Sequence, residues 1–443
     1  SVAGYAALTG EPLVIDDAYE IPEGAPYSFN RGFDKEHGYR AKSMLVVPMK
    51  DHRGKTVGVL QLINRKRTTD AIIRCDSDAD EHVLPYGERE VEIVQSLAGQ
   101  AAVSIENGRL YRAIENLFEG FIKAAVGAID QRDPATSGHS VRVTAMTTAL
   151  AEVVHKEKER ERFKDVRYTK EEMKQLRYAG LLHDFGKVGV REEVLVKVMK
   201  LPPVIDARVR ARFELVRRSL DSEFHRRRAE YLHENGRGEA YAKFLTGLEA
   251  EIRERRDRLD EYHQAVMEAN TPRVLPGETA EILQEINRQT FIDPSGEEHP
   301  FITDEELHYL SIPKGNLDEN ERKQIESHVD HSYSFLMEIP WTDDLSRVAE
   351  IVWGHHEKLN GRGYPRGVSA DDIPLETRMM TVADIFDALT ASDRPYKKAM
   401  PVERALSILQ MEADEGGLDP DLVEMFMESK VYEEVLNKDW REL

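Results

Sequence analysis

The chain has 443 residues, a length that suggests two or three domains. It carries 61 Lys and Arg against 82 Asp and Glu, and this acidic balance argues against broad binding to nucleic acid or anionic membranes. No stretch approaches the roughly 18 apolar residues of a membrane helix. The single cysteine, Cys75, excludes an intrachain disulfide and favours a reducing, cytoplasmic location.

The first part of the chain is predicted to be rich in β-strands, up to about residue 66. Its apolar runs Ser43–Met49 and Thr56–Ile63 flank a turn that contains Gly54, which is the pattern of a β-hairpin. Residues 67–87 are polar and show no periodicity, so they are predicted to form a loop.

A long helix is predicted from Glu88 to Ile129, because apolar residues recur there at steps of three and four. These positions are Val91, Val94, Leu97, Ala101, Ile105, Leu117, Phe118, Phe121, Ile122 and Ala125. Such a stripe needs a partner. Pairing with a second copy as a parallel coiled coil and packing on the chain's own domains both stay open.

The remainder of the chain is predicted to be helical. Helical periodicity marks Ser140–His155, Lys170–Leu182, Glu319–Met337, Leu345–His355, Leu375–Leu389 and Val402–Glu412. Between them, residues 201–313 carry opposite charges at helical neighbour spacings, which predicts a long helical excursion of hairpin form. A solvated or dimer-contacting face is favoured for Arg226, Arg227 and Arg228 over a polyanion site.

Several histidines and aspartates lie in or beside strongly apolar segments. His183 and Asp184 follow an apolar run in LLHDFGKVGV, and Asp384 lies within TVADIFDALT. The other members are His139, His328, His355 and His356. A buried carboxylate without a cation is costly, and imidazole with carboxylate suits Mn, Fe or Zn. The set is therefore most simply explained by one shared metal centre with ligands from several helices.

These residues resemble the HD-GYP subgroup of the HD phosphohydrolases. The similarity rests on His183-Asp184 with Gly186-Lys187, on HHEKLNGRGYP at residues 355–365 and on SDRPYKK at residues 392–398. It covers residues of about 121–200 and 314–412. The resemblance implies a helical, metal-dependent phosphodiesterase that opens cyclic di-GMP to pGpG or GMP. A slow cyclic di-GMP receptor and a hydrolase of cyclic GMP-AMP stay open as alternatives.

The resemblance also implies roles for single residues. Asp184 would bridge two divalent ions, expected to be Fe or Mn, which would activate a bridging water. The other ligands would be His139, His183 and Asp384 at one ion, and His328, His355 and His356 at the other. Asp184 and Lys187 would be catalytic, with Lys187 facing the scissile phosphate. Substrate contacts would come from Lys187, Gly363, Tyr364, Pro365, Arg394 and Lys397.

Some positions depart from the family pattern or lie beside the ligands. Ala135 stands where some members carry a glutamate that helps to hold a third metal, so two metals are expected. Glu357 is expected to support the ligands rather than to bind metal. Asp387 is a weaker candidate for a supporting or substrate-contacting role. His331 is more simply explained as a structural or supporting residue than as a ligand.

The N-terminal region resembles the later part of a GAF domain. The similarity rests on residues 4–19, residues 38–66 and LAGQAAVSIENGRLY at residues 97–111. It implies a small-ligand sensor or a dimerisation module, and no ligand can be named. Because the opening strands of a complete GAF domain are missing, we expect the chain to be part of a longer protein.

The predicted fold class is α+β. A partial α/β GAF sheet domain is expected at residues 1–107 and a connecting helix at residues 88–129. An all-α HD-type helical bundle is expected at residues 121–443, with a helical insertion at residues 201–313. The expected partners are cyclic di-GMP, an unknown small ligand or none at the GAF domain, and a second copy bound through the GAF domain and connecting helix.

Overall fold

A computed structural model of the chain describes residues 1–133, 138–293, 295–391 and 399–439. The chain divides into two compact units, Ser1–Phe121 and Ile122–Leu443. The predicted α+β class is confirmed, with a small antiparallel sheet in the first unit and mostly helices in the second. Of the helices in the described ranges, none combines the length and apolarity needed to cross a bilayer.

The first unit is built around a three-stranded antiparallel sheet in the order β1-β2-β3. In chain order its elements are α1 (Val2–Thr9), β1 (Leu13–Ile15), α2 (Gly32–His37), β2 (Met44–Lys50), β3 (Thr56–Ile63), β4 (Arg65–Lys66), α3 (Asp76–His82), β5 (Val83–Leu84) and the first part of α4 (Glu88–Arg132). The predicted hairpin is confirmed, since Met44 pairs with Ile63 and the turn contains Gly54 at φ 78°.

Two predictions for this unit are wrong in part. The segment expected to be strands up to about residue 66 contains α1 and α2. Helix α1 is stabilised at its start by the Ser1 side chain, which accepts a hydrogen bond from Gly4 N at 3.1 Å. The segment expected to be a loop contains α3. The buried residue of α3 is Ala79. With no apolar stripe along the helix, the sequence pattern does not predict it.

In its described residues the second unit is mostly helical and contains one two-stranded hairpin. After the end of α4 its helices are α5 (His139–Lys156), α6 (Lys170–Leu182), α7 (Glu192–Leu195), α8 (Pro203–Asn235), α9 (Glu239–Ala269), α10 (Gly277–Arg288), α11 (Asp304–Leu310), α12 (Glu319–Glu326), α13 (His328–Met337), α14 (Val348–Trp353), α15 (Leu375–Thr390), α16 (Val402–Asp414), α17 (Pro420–Ser429) and α18 (Val431–Leu436). The hairpin joins β6 (Thr290–Ile292) to β7 (Glu298–Pro300). Short 3-10 helices cover Phe185–Gly189, Asp343–Leu345 and Ala370–Asp372.

Helix packing brings distant parts of the chain together. Helix α5 packs against α6 and α15, and the 3-10 helix Phe185–Gly189 packs against α13. At the α5–α6 contact, a Cβ on Gly180 would lie 2.6 Å from Thr144 Oγ1, so glycine permits the close approach. These contacts place the segments that end at His183 and begin at His139 and His328 around one point.

The predicted helix bounds hold at several places and fail at two. The prediction Lys170–Leu182 is confirmed. The predicted helix Glu319–Met337 is interrupted at Ser327, between α12 and α13. The predicted helix Leu345–His355 is shorter at both ends, because α14 covers Val348–Trp353. His355 and His356 therefore lie in the turn after the helix.

Residues 201–313 contain the predicted helical hairpin, formed by α8 and α9. Ion pairs join the two helices, including Arg227 to Glu251 at 2.7 Å and Arg255 to Glu223 at 2.9 Å. Arg226 pairs with Glu230 at 2.9 Å, and Arg228 donates a hydrogen bond to the Tyr241 hydroxyl at 2.9 Å. Two of the three arginines are thus paired with carboxylates, and the third is hydrogen-bonded, within the hairpin itself. An apolar core of its own, which includes Val209, Phe213, Val266 and Leu283, stabilises the segment.

Candidate metal centre

The structure brings the seven predicted ligand side chains together. Three of them, His139, His183 and Asp184, form one group whose ligand atoms lie within 4.8 Å of one another. His328, His355 and His356 form a second group by the same measure. We call these the first and second ligand groups. Five of the six side chains are buried and His356 is partly exposed.

Asp184 connects the two groups through its two carboxylate oxygens. Its Oδ2 lies 3.6 Å from His139 Nε2 and 3.5 Å from His183 Nε2. Its Oδ1 lies 3.3 Å from His328 Nε2, in the second group. One carboxylate therefore lies between the two ligand groups.

Asp384 also lies between the groups. Its Oδ1 is 3.1 Å from His139 Nε2, which agrees with the side on which the sequence placed it. Its Oδ2 is 3.7 Å from His356 Nδ1, a contact with the second group that the sequence did not indicate. The carboxylate stands on α15 and is buried, at 5% exposure.

Three of the imidazoles are oriented by the backbone of the turn that precedes them. In each, Nδ1 donates to the carbonyl three residues earlier: His183 to Gly180 at 2.7 Å, His328 to Ile325 at 2.6 Å and His355 to Val352 at 2.7 Å. Because a carbonyl only accepts, Nδ1 carries the proton and Nε2 carries the lone pair. The folded turns thus present Nε2 of each ring as a donor atom for a metal.

His139 is oriented by a carboxylate instead. Its Nδ1 donates to Asp387 Oδ2 at 2.8 Å, and Arg142 holds the same carboxylate through bonds of 2.7 Å and 3.0 Å. Burial disfavours the charged ring, but hydrogen bonds to Asp384 and Asp387 outweigh burial and raise the pKa of His139 to about 9. The surroundings of this ring favour a positive charge.

His183, His355, His356 and Asp184 have the protonation states that metal binding requires. Burial lowers the pKa of His183 and His355, and it lowers the pKa of His356 to about 4, so these rings are neutral at pH 7. Burial opposes ionisation of Asp184, but the charge of Lys187 and the nearby imidazoles outweigh it and hold the pKa well below its usual range.

The donor set fits divalent cations. Donor atoms about 2.0–2.2 Å from one ion lie roughly 3–3.5 Å apart, and the separations around Asp184 and His139 Nε2 run from 3.1 to 3.6 Å. In addition, His183 Nε2 is buried without a hydrogen-bond partner among the described residues. A buried nitrogen with that lone pair is costly unless something binds it. Imidazole nitrogens together with ionised carboxylates suit Fe, Mn or Zn.

Lys187 places its ammonium group beside the ligands. Its Nζ lies 2.9 Å from Asp184 Oδ2 and 3.3 Å from Asp133 Oδ2. Burial opposes the charge, but the carboxylates of Asp184 and Asp133 outweigh it and raise the pKa of Lys187. The predicted catalytic lysine is therefore a cation at the edge of the candidate metal centre.

The glycine-rich turn after His356 is held by Glu357. Its carboxylate accepts hydrogen bonds from the backbone N–H of Arg366 at 2.7 Å and of Val368 at 3.2 Å. Gly363 packs so closely that a Cβ there would lie 2.5 Å from Glu357 Cα. In its described hydrogen bonds Glu357 supports this turn, and it belongs to neither ligand group.

The turn brings Tyr364 onto the second ligand group. The tyrosine ring lies 4.8 Å from the His356 ring, and its backbone N–H donates to His356 O at 3.2 Å. Burial raises the pKa of Tyr364, so the hydroxyl keeps its proton. Gly363 and Pro365 lie in the same turn. Arg394, Lys397 and Ala135 lie outside the described residues.

Asp387 and His331 differ in how they relate to the ligand groups. Asp387, a weaker candidate in the sequence, contacts the predicted ligand His139 directly. His331 is exposed and belongs to neither ligand group. Its ring sits against Gly189, where a Cβ would lie 2.6 Å from Nδ1. Arg142 was not identified from the sequence, since an arginine on an amphipathic helix carries no signal for a partner 245 residues away.

Comparison with known families supports both resemblances. A GAF domain profile matches residues 1–105. Two HD domain profiles match residues 136–270 and 304–422. The chain therefore contains a GAF domain match followed by two HD domain matches.

Its curated relatives match over short segments. It is 45% identical over 107 residues to 3'3'-cGAMP-specific phosphodiesterase 3 of Vibrio cholerae, which is 24% of this chain and 22% of the relative. It is 36% identical over 120 residues to the cyclic di-GMP phosphodiesterase response regulator RpfG of Xanthomonas campestris, 27% and 31% of the two chains. It is 44% identical over 80 residues to a cyclic di-GMP phosphodiesterase of Thermotoga maritima, 18% and 21%. The matches span less than a third of each of these relatives.

Proposed function

We propose that the protein is a metal-dependent phosphodiesterase that hydrolyses cyclic di-GMP to pGpG or GMP. The observation that carries this proposal is the carboxylate of Asp184, which faces both ligand groups at 3.3–3.6 Å and has Lys187 beside it. The relatives named as cyclic di-GMP and 3'3'-cGAMP phosphodiesterases support the same class of reaction.

Two divalent ions are proposed to bind at the ligand groups, with Fe or Mn expected. His139, His183 and Asp384 would hold one ion and His328, His355 and His356 the other, with Asp184 shared. Bound there, such a pair supplies positive charge for the phosphodiester and a water of lowered pKa as nucleophile. The contact of Asp384 with His356 is compatible with this division.

The chain's own residues are proposed to bind and stabilise the substrate. Lys187 would place its ammonium group against the phosphoryl oxygens, where negative charge grows in the transition state. Tyr364, with Gly363 and Pro365, would form the wall of the pocket next to His356. Arg394 and Lys397 are proposed to contact substrate phosphate or guanine edges.

Cyclic GMP-AMP is the second candidate substrate, because one matched relative is named for 3'3'-cGAMP and is 45% identical over its segment. The remaining alternative is a receptor that binds metal and cyclic di-GMP but hydrolyses the dinucleotide slowly.

The experiment is a hydrolysis assay of protein loaded anaerobically with Mn(II) or Fe(II), offered each dinucleotide alone and both together. Formation of pGpG or GMP supports the enzyme, and the competition ranks the substrates. Tight binding without products supports the receptor.

The matched pair His328→Ala and His331→Ala gives this assay a control. Both histidines lie on α13, but only His328 belongs to a ligand group. We expect His328→Ala to lose turnover and His331→Ala to keep most of it. Equal activity in the two variants would contradict the proposed site.

The GAF domain and α4 are proposed to organise the assembly of the protein. We propose a homodimer through the GAF domain and α4, a GAF domain that binds a small ligand or none, and a cytoplasmic location, which suits the free, exposed Cys75. We also propose that residues 1–107 form the GAF domain, residues 88–129 the connecting helix and residues 121–443 the HD-type domain, with the insertion at residues 201–313.

The exposed side of α4 supports dimerisation. Leu110, Ile114, Leu117 and Phe121 follow one another at steps of four, three and four residues, which is the spacing of a coiled-coil seam. Their exposures are 54%, 63%, 75% and 48%. An apolar stripe of this size on a single chain calls for a partner.

A further inference from the structure

A buried hydroxyl connects the segments that carry the two ligand groups. Ser332 lies on α13, one turn after His328, and is fully buried. Its Oγ donates a hydrogen bond to the carbonyl of His183 at 2.7 Å. The same Oγ accepts a hydrogen bond from the backbone N–H of Gly186, also at 2.7 Å. One side chain thus satisfies the backbone on both sides of Asp184.

This bonding is unusual for a serine inside a helix. Such hydroxyls commonly donate to the carbonyl four residues earlier in their own helix, as Ser407 does to Glu403 at 2.8 Å and Ser429 to Met425 at 2.5 Å. Ser332 donates across to His183 instead. Its hydroxyl therefore serves the contact between two segments rather than its own helix.

The contact around this hydroxyl is very close. A Cβ on Gly186 would lie 1.9 Å from His328 O, 2.4 Å from Ser332 N and 2.8 Å from Ser332 Oγ. The turn that carries His183 and Asp184 therefore lies directly on the backbone of the helix that carries His328. A shift of this turn along the helix would change the distance between Asp184 and His328.

We propose that Ser332 is a positioning residue that sets the separation of the first and second ligand groups, and with it the spacing of the two cations. This inference rests on the proposed dinuclear site. Without the hydroxyl, His183 O and Gly186 N would be left buried without their partner, which is costly. The segment would shift to find new partners, and Asp184 would move relative to His328.

The test measures metal binding and metal–metal coupling rather than turnover. Ser332→Ala and the control Ser334→Ala, an exposed serine on the same helix, are loaded anaerobically with Mn(II). Binding isotherms give the affinity of each ion, and low-temperature electron paramagnetic resonance detects the coupling of a close Mn(II) pair. For Ser332→Ala we expect the second ion to bind about tenfold more weakly or worse, with the coupled signal altered or lost. Ser334→Ala should match the unmodified protein.

The outcomes separate this inference from the proposed function. An unmodified protein that binds one Mn(II) per chain, or two without coupling, contradicts the dinuclear site itself. A coupled pair in the unmodified protein with the same affinities and signal in Ser332→Ala overturns the role of Ser332 alone. If the alanine variant does not fold, Ser332→Gly, which leaves room for a water in place of the hydroxyl, takes the same two measurements. Unchanged coupling and affinity in that variant likewise overturn the inference.

Discussion

Asp387 accepts a hydrogen bond from His139 Nδ1 at 2.8 Å, although 248 residues separate the two in the chain. Arg142, one turn after His139 on α5, holds the same carboxylate from the other side. The arrangement fixes the ring so that Nε2 points at Asp184 and Asp384. Carboxylates that orient a ligand imidazole in this way strengthen metal binding.

Replacing this carboxylate tests its contribution. In Asp387→Asn the amide is a weaker acceptor for His139 and offers Arg142 no charge. We expect the protein to stay folded and its affinity for Mn(II) to fall about 10–100-fold, measured by competition with a chelator. Asp371→Asn, at an exposed position, serves as the control. Equal affinities in the two variants would show that Asp387 does not support the ligand.

Gly186 tests how closely the His183–Asp184 turn must lie on α13. In Gly186→Ala the added Cβ would meet His328 O at 1.9 Å, and backbone cannot yield as a flexible side chain does. We expect a loss of about 2–3 kcal/mol of stability and a lower metal content. Gly127→Ala on α4 is the matched control, because a Cβ there meets nothing within 4 Å. Thermal unfolding and metal analysis check both, and a Gly186→Ala variant as stable and metal-rich as the control would refute the contact.

Asp419 gives a prediction for the dependence of stability on pH. Its buried carboxylate accepts hydrogen bonds from Arg162 at 2.8 Å and from Arg378 at 3.0 Å. Burial opposes ionisation, but the two guanidinium groups outweigh it and lower the pKa of Asp419. Because the folded pKa is the lower one, the stabilisation is complete above the unfolded value of about 3.9 and is lost as pH falls through the folded pKa.

We therefore expect Asp419→Asn to lower the unfolding temperature at pH 7. The difference in unfolding temperature from the unmodified protein should shrink at acidic pH. The loss should be about 2 kcal/mol, less than for a fully buried pair because the Arg162 side chain is 42% exposed. That corresponds to about 3 °C for a unit of this size. Scanning calorimetry from pH 7 to pH 3 tests the sign. A difference that stays constant or widens as pH falls would contradict it.

The exposed stripe of α4 predicts the oligomeric state. Leu117→Glu puts a charge into the seam and should convert a dimer to a monomer in sedimentation velocity experiments. Arg112→Glu, also exposed but on another side of the helix, should leave the dimer intact. A monomeric unmodified protein, or a Leu117→Glu variant that sediments as a dimer, would exclude pairing through this stripe.

The sequence was most informative about the site where a histidine or aspartate lies within an otherwise apolar segment. His183, Asp184 and Asp384 are polar groups inside runs that otherwise belong to a core, and burial of a carboxylate has few explanations besides a cation. The hairpin of β2 and β3 was likewise predictable, since two apolar runs on either side of a glycine turn are the pattern of a β-hairpin.

The supporting contacts were not predictable because they depend on packing. Ser332 and His183 are 149 residues apart, and nothing in the neighbourhood of a small helical residue indicates which distant carbonyl it meets. Ser327 interrupts a helix while keeping nearly helical dihedral angles, φ −64° and ψ −11°, so the apolar period runs on across it. Asp384 was assigned to one ligand group, and only the fold reveals its second contact, with His356.

Whether Asp184 joins two cation sites is best measured by the metal content of anaerobically purified protein reconstituted with Mn(II) or Fe(II), together with its hydrolysis of cyclic di-GMP. We expect close to two ions per chain in the unmodified protein. In Asp184→Ala and in His183→Ala we expect fewer ions and no turnover. Two ions per chain with full activity in Asp184→Ala, or no divalent ion bound by the unmodified protein, would contradict the claim that Asp184 joins two cation sites.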